Sequence, residues 1–274
     1  MPMKISAWCK PMIAVFGVLS FVVVAHAADR LMLTGSSTIA PLALEIGKRF
    51  EQQNPGVQVD VQSGGSSRGV ADARSGLADI GEVSRALNPD EHDLVAHTIA
   101  MDGVGLILHS NNPVKSLSDD QIRAIYIGRI TNWKEVGGKD ARITVVNKAE
   151  GRSTLELFLQ HFKLKNSQIK AQAVIGENQQ GIKTVAGNPG AIGYVSIGSA
   201  EFEEKQGTPI KLLPMNGVAA TVENVRAGRF PLSRPLNLVT KGVPPALAKR
   251  FIDFARSRRV NDLIEAQFFV PVER

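Results

Sequence analysis

The chain has 274 residues, with 32 basic and 26 acidic side chains, a hydrophobic share of 43% and a single cysteine, Cys9. The basic residues are scattered among acids without long runs or interleaved aromatics, which excludes the electrostatic footprint of a nucleic-acid binder. The length allows one large domain or two medium ones, each with its own core, and two are expected.

The first segment has the three parts of an export signal: Lys4 and Lys10, an apolar run from Met12 to Val24, and Ala25-His26-Ala27 before Ala28. Thirteen apolar residues fall short of the ~20 that cross a bilayer, so cleavage after Ala27 and a periplasmic protein are expected. Cys9 would leave with this segment, and disulfides, thiolate metal sites and cysteine nucleophiles with it. Loss of Lys4 and Lys10 from the 32 basic residues leaves 30 against 26 acids, a mildly basic mature chain.

Leu31-Met32-Leu33 reads as a strand that stops at Gly35-Ser36-Ser37-Thr38, before a helical pattern of Leu42, Leu44, Ile46 and Phe50. Val57, Val59 and Val61 alternate as a strand, and Ser63-Gly64-Gly65-Ser66-Ser67 feeds a helix with Val70, Ala73 and Leu77 on one side. Ala78 to Gly81 starts a third strand, and Val104 to Leu108 suits a buried one. After Asn111-Asn112-Pro113 the pattern restarts. Ser118 caps a helix with Ile122, Ile125 and Tyr126, and Ile143 to Val146 is a strand entering the loop 147–153. A helix with Leu155, Phe158 and Leu159 follows, then a strand at 191–195, an apolar strand within 231–240 and a final helix at about 245–266. The alternation argues for an α/β fold of two doubly wound lobes joined by a hinge. Because the last strand and helix complete a pattern left open by the first 110 residues, lobe 1 is expected from 28–110 and 231–274, and lobe 2 from 111–230.

Three strand-to-helix turns carry small hydroxyl residues: Gly35 to Thr38, Gly65 to Ser67, and Gly151 to Thr154. A helix N-terminus offers unpaired N–H groups and partial positive charge, glycine allows close approach, and Ser or Thr adds donors, so such turns can hold an oxyanion. Each alone also reads as an ordinary cap, but three at the carboxyl ends of predicted parallel strands point to a ligand. Lys148, Glu150 and Arg152 flank the third turn, where cations would supply charge-assisted hydrogen bonds. A carboxylate there suits an anion that still carries a proton, as monohydrogen phosphate does and sulfate does not. The alternative is a surface charge cluster.

The order of "LTGSSTIAPLALEIGKRFE", "VQSGGSSRGV", "ADIGEVSRAL", "IYIGRITNW", "VVNKAEGRSTLELF", "GNPGAIGYV" and "PLSRPLNLV" resembles the phosphate-binding proteins of bacterial phosphate ABC importers, within the type II periplasmic binding proteins. The resemblance runs through almost the whole mature chain. It implies inorganic phosphate as ligand, a membrane permease of an ABC importer as partner, no cofactor, no catalysis and a monomer. Matched residue by residue, it assigns ligand contacts to Thr38 and the backbone of Ile39, to Ser66 and its neighbour Ser67, to Ser84 and Arg85, and to Lys148, Glu150, Arg152, Ser153 and Thr154. Lys148 stands at the family's arginine, Glu150 at its aspartate, and Ser84 where the best-described members place an aspartate that accepts the ligand's proton. Glu150 is then the one acidic side chain left to sense that proton. A binding protein for sulfate or molybdate, or a phosphate binder used in sensing or surface attachment, stays open. A periplasmic hydrolase is disfavoured, because His92, His97, His109 and His161 show no metal-ligand spacing and accompany no nucleophile elbow. Trp133 and Tyr126 read as packing or as partner-facing residues.

Overall fold

The computed structural model describes Met1 and residues 29–272; the expected export segment, its cleavage after Ala27 and Cys9 lie outside the described residues. The chain runs β1 (Asp29–Gly35), α1 (Ala40–Gln53), β2 (Val57–Ser63), α2 (Ser66–Ser75), β3 (Ile80–Val83) and β4 (Leu94–His109). It continues through α3 (Asp119–Tyr126), β5 (Thr144–Lys148), α4 (Ser153–Phe162), β6 (Ala173–Ile175), α5 (Asn178–Ala186), β7 (Ala191–Ser196), α6 (Ile197–Lys205), β8 (Ile210–Leu212) and α7 (Val222–Arg226). It ends with β9 (Ser233–Lys241), α8 (Ala246–Ala255), α9 (Asn261–Ala266) and β10 (Val270–Pro271).

The strands lie in the order β2-β1-β3-β9-β4-β7-β5-β6, with β8 and β10 also paired to β4. Each end of this sheet is parallel, β2-β1-β3 on one side and β7-β5-β6 on the other, while β9 and β4 run antiparallel between them. This is the α/β, two-lobed arrangement expected from the sequence. One core collects Leu33, Leu42, Ile46, Phe50, Ile80, Leu238 and Phe251, with Phe50 edge-on to Phe251 at 5.3 Å between ring centres. The other gathers Tyr126, Trp133, Phe158, Phe162 and Tyr194, with Phe158 stacked on Tyr194 at 4.0 Å. Tyr126 and Trp133 are therefore packing residues, and the Trp133 indole N–H donates to the Gly190 carbonyl at 2.9 Å.

The sixteen-residue β4 is much longer than the predicted strand at 104–108. Its first part, Leu94 to Gly103, pairs with β9, and from Val104 it pairs with β7. A seam runs through this strand where its partner changes, at Gly103 and Val104, beside Leu232 and Ser233. The turn near residue 110 follows the far end of β4. The predicted final helix is two, α8 and α9, separated by a short 3-10 turn at Arg258–Val260. Likewise α2 stops at Ser75, which leaves Leu77 exposed beyond a left-handed Gly76.

Within β3, Glu82 is fully buried, and among the described residues neither of its carboxyl oxygens has a hydrogen-bond partner. Burial pushes this carboxyl well above the usual carboxylate range. The folded protein thus keeps a proton that the unfolded chain releases above about pH 4.5, and stability at this position is full at low pH and lost as pH rises. Glu82→Met, similar in size and apolar, is expected to stabilise the protein by about 1–3 kcal/mol at pH 7. In urea unfolding the gain should shrink toward pH 4; an equal gain at both pH values would show that the buried carboxyl is not its source.

Candidate functional site

Four helices begin at the seam. Thr38 lies just before α1, and Ser66, Ser153 and Asn178 are the first residues of α2, α4 and α5. Their starts bring backbone N–H groups and partial positive charge to one place. The four polar residues are buried and meet across the lobes: Ser66 and Ser153 share a short hydroxyl contact, and the Asn178 amide donates to Thr38 Oγ1 at 3.1 Å. Ser36 Oγ donates to Ser84 Oγ at 2.9 Å, and the Ser84 N–H donates to Ser66 Oγ at 3.2 Å.

At the middle lies Arg234, at the start of β9 and only 1% exposed. Its cross-strand neighbour in the β4–β9 ladder is Asp102, whose Oδ2 accepts from Nη2 at 2.9 Å and from Nε at 3.2 Å. The remaining donors fan outward: Nη1 reaches Thr154 Oγ1 at 3.1 Å and Ser84 Oγ at 3.3 Å, and Nη2 reaches Thr38 Oγ1 at 3.1 Å. A second cation, Lys148 at the end of β5, is 2% exposed and donates to Asn178 Oδ1 at 2.9 Å. Burial, and next the charge of Arg234, lower its pKa from the usual lysine value to about 7.

Of the residues predicted from sequence, Thr38, Ser66, Ser84, Lys148, Ser153 and Thr154 come together here. The Ile39 side chain is in the core, and its N–H donates to the Ser36 carbonyl at 3.0 Å. Arg85, Ser67 and Arg152 stand around the cluster and tie or line the seam. Arg85 Nε donates to Glu156 of the second lobe at 2.6 Å, while its terminal nitrogens grip Glu91 at 2.7 and 2.8 Å. Burial works against the charges of this pair, but the hydrogen bonds prevail, raising the Arg85 pKa and lowering that of Glu91. The Ser67 N–H donates to the Gly151 carbonyl at 3.2 Å and its hydroxyl to Glu156 at 3.2 Å. Arg152 pairs with Glu177 at 3.0 Å.

Glu150 is not in the cluster. It is exposed and accepts a hydrogen bond from the Asn166 amide at 2.9 Å, because the chain turns outward at Gly151, whose φ is +76°. Closure at this seam also requires Gly65: at φ +101° it lies so near the other lobe that a Cβ would stand 2.5 Å from the Gly151 carbonyl oxygen.

Arg234, Asp102, Asn178 and Ser36 complete the site beyond the predicted set. The arrangement is a closed, donor-rich nest with two cations and one carboxylate, which is itself neutralised by Arg234. Such a donor set holds a tetrahedral oxyanion, with hydroxyls that can donate or accept as the ligand's protonation requires. Among the described residues no group of three or more His, Cys, Asp or Glu is placed to hold a metal ion.

A family model described as the PBP superfamily domain matches residues 22–259. The chain is similar to the phosphate-binding protein PstS of Bacillus subtilis, 31% identical over 252 residues that cover 90% of this chain and 82% of the relative. It is similar in structure to a Clostridium perfringens protein described as a phosphate ABC transporter substrate-binding protein with bound phosphate. There the identity is 33% and the TM-score 0.82, over 89% of this chain and 100% of the other. An ABC-type phosphate transport receptor from Vibrio cholerae aligns with a TM-score of 0.73 at 29% identity, covering 88% of this chain and all of its own.

Removal of one member of the buried Asp102–Arg234 pair strands the other charge. Asp102→Ala is expected to cost about 3–5 kcal/mol in urea unfolding, and the double change Asp102→Leu with Arg234→Met about 2 kcal/mol or less. A double variant as unstable as Asp102→Ala would mean that packing, not the stranded guanidinium, accounts for the loss.

Proposed function

We propose, from the premise that the chain belongs to the PBP superfamily and within it to the phosphate-binding proteins, that it captures inorganic phosphate between its two lobes for delivery to an ABC importer. It is a binding protein and not an enzyme. The observation that carries the reading is the convergence of four helix starts, Arg234 and Lys148 on one buried point where the lobes meet. Phosphate oxygens would take the donors of Arg234, Lys148, Thr38, Ser66, Ser153 and Thr154 that now satisfy one another, and capture requires closure because these groups come from both lobes.

The same proposal includes export with cleavage after Ala27, action as a monomer, contact with the membrane permease and no role for nucleic acid. None of the helices formed by the described residues is long and apolar enough to cross a membrane. A second oxyanion has one observation in its favour. The cluster's carboxylate, Asp102, is held by Arg234, so no unneutralised acid faces the ligand to repel sulfate or molybdate.

Phosphate at 100 times its dissociation constant should add about 2.7 kcal/mol to stability, a rise of roughly 5–10 °C in Tm for a chain of this size. Calorimetry should give one phosphate per chain, and a response to sulfate or molybdate without one to phosphate would overturn the assignment. Exposed and turned to Asn166, Glu150 can be neutralised without consequence for the ligand. In competition titrations Glu150→Gln should leave the phosphate-to-sulfate affinity ratio within about twofold of the wild type, well under the tenfold that 1.4 kcal/mol represents.

A further inference from the structure

The two cations of the site are held in opposite ways. Arg234 has a carboxylate partner in Asp102. Lys148 is as deeply buried, and its ammonium has three hydrogens to place, yet its side-chain hydrogen bond runs to a neutral group, the amide oxygen of Asn178. The charged and titratable groups around it do not compensate it. From β9 comes the positive Arg234, and from the loop before α4 the positive Arg152. Glu177, ahead of α5, is turned to Arg152, and Asp102 on β4 is turned to Arg234. From β7 the Tyr194 hydroxyl accepts the backbone N–H of Lys148 at 3.3 Å and offers the side chain no charge. A buried ammonium with neutral support and a fixed cation as neighbour is held in its charged form only by an added anion.

We propose that Lys148, already enclosed in the arrangement described above, becomes an ammonium when the oxyanion takes its place between the lobes, so that each phosphate captured above neutral pH brings one proton from solvent onto Nζ. This rests on the phosphate reading above and adds its regulation. The amine's lowered pKa, about 7, places the transition near neutral pH. The direction is fixed by linkage: the bound anion raises the pKa, so binding is strongest where the free amine is already protonated and weakens as pH climbs past that value. An arginine in the same position would be charged throughout.

Calorimetric phosphate titrations of wild type and Lys148→Arg at pH 6.5 and 8.5, each in two buffers of different ionisation enthalpy, test this. Comparison of the two proteins cancels the titration of phosphate itself. The affinity of wild type relative to Lys148→Arg is expected to fall on the order of tenfold or more between the two pH values. At pH 8.5 wild type should take up close to one proton more per phosphate than the variant. A constant affinity ratio with equal proton uptake would overturn the proposal and leave phosphate capture standing, whereas absence of phosphate binding by wild type would overturn the functional reading itself. Should Lys148→Arg fold poorly, NMR of wild type labelled at lysine Cε decides the matter. One lysine should titrate near neutral pH without phosphate and stay protonated beyond pH 9 with it; a spectrum in which every lysine titrates in the ordinary range sinks the idea.

Discussion

The seam depends on one buried ion pair. Asp102 and Arg234 lie directly opposite each other in the β4–β9 ladder, so the register of two antiparallel strands sets the position of the charges. A slip of one residue would turn one of the two side chains to the other face and leave both charges without a partner. With its inner edge fixed by Asp102, the guanidinium is a rigid fork whose free donors point at Thr38 and Ser84 of one lobe and Thr154 of the other. The surrounding hydroxyls have their places because this fork does.

Around that centre the electrostatic arrangement changes from compensated to uncompensated. The Arg85, Glu91 and Glu156 network at the edge joins the lobes by an arginine shared between two carboxylates, and within the second lobe Arg152 already has its partner in Glu177. Lys148 is the exception, a buried amine supported by a neutral amide. The rim can hold the lobes together whatever the ligand, while the interior keeps a deficit of negative charge that an oxyanion fills.

Much of this was legible in the sequence because it is local. Glycine and hydroxyl residues after a strand announce a helix start, and three of the four starts at the site were found that way. The fourth, α5 with Asn178, sits in the polar run 177–180, which shows little apolar periodicity to mark a helix. Arg234 was hidden for a different reason: its partner is 132 positions away, and only strand pairing brings Asp102 to it. Glu150 is only two residues beyond Lys148, yet its carboxylate is turned to Asn166 and stands apart from the cluster, a direction that sequence spacing does not reveal. The full length of β4 was missed because its first half mixes polar and apolar residues where one face meets a different set of neighbours.

The position of β9 has a consequence for the order in which the protein can form. This strand is among the last parts of the chain to be synthesised, yet it lies between β3 and β4 in the sheet. Until residues 233–241 arrive, those two strands have no partner between them, and the first lobe cannot complete its sheet or bring α8 onto the core beside Phe50. A growing chain is thereby kept from early native structure, with open strand edges that a holding chaperone could cover. Under the export proposed above, a fold completed only by its C-terminal segment would delay folding until transit is nearly over.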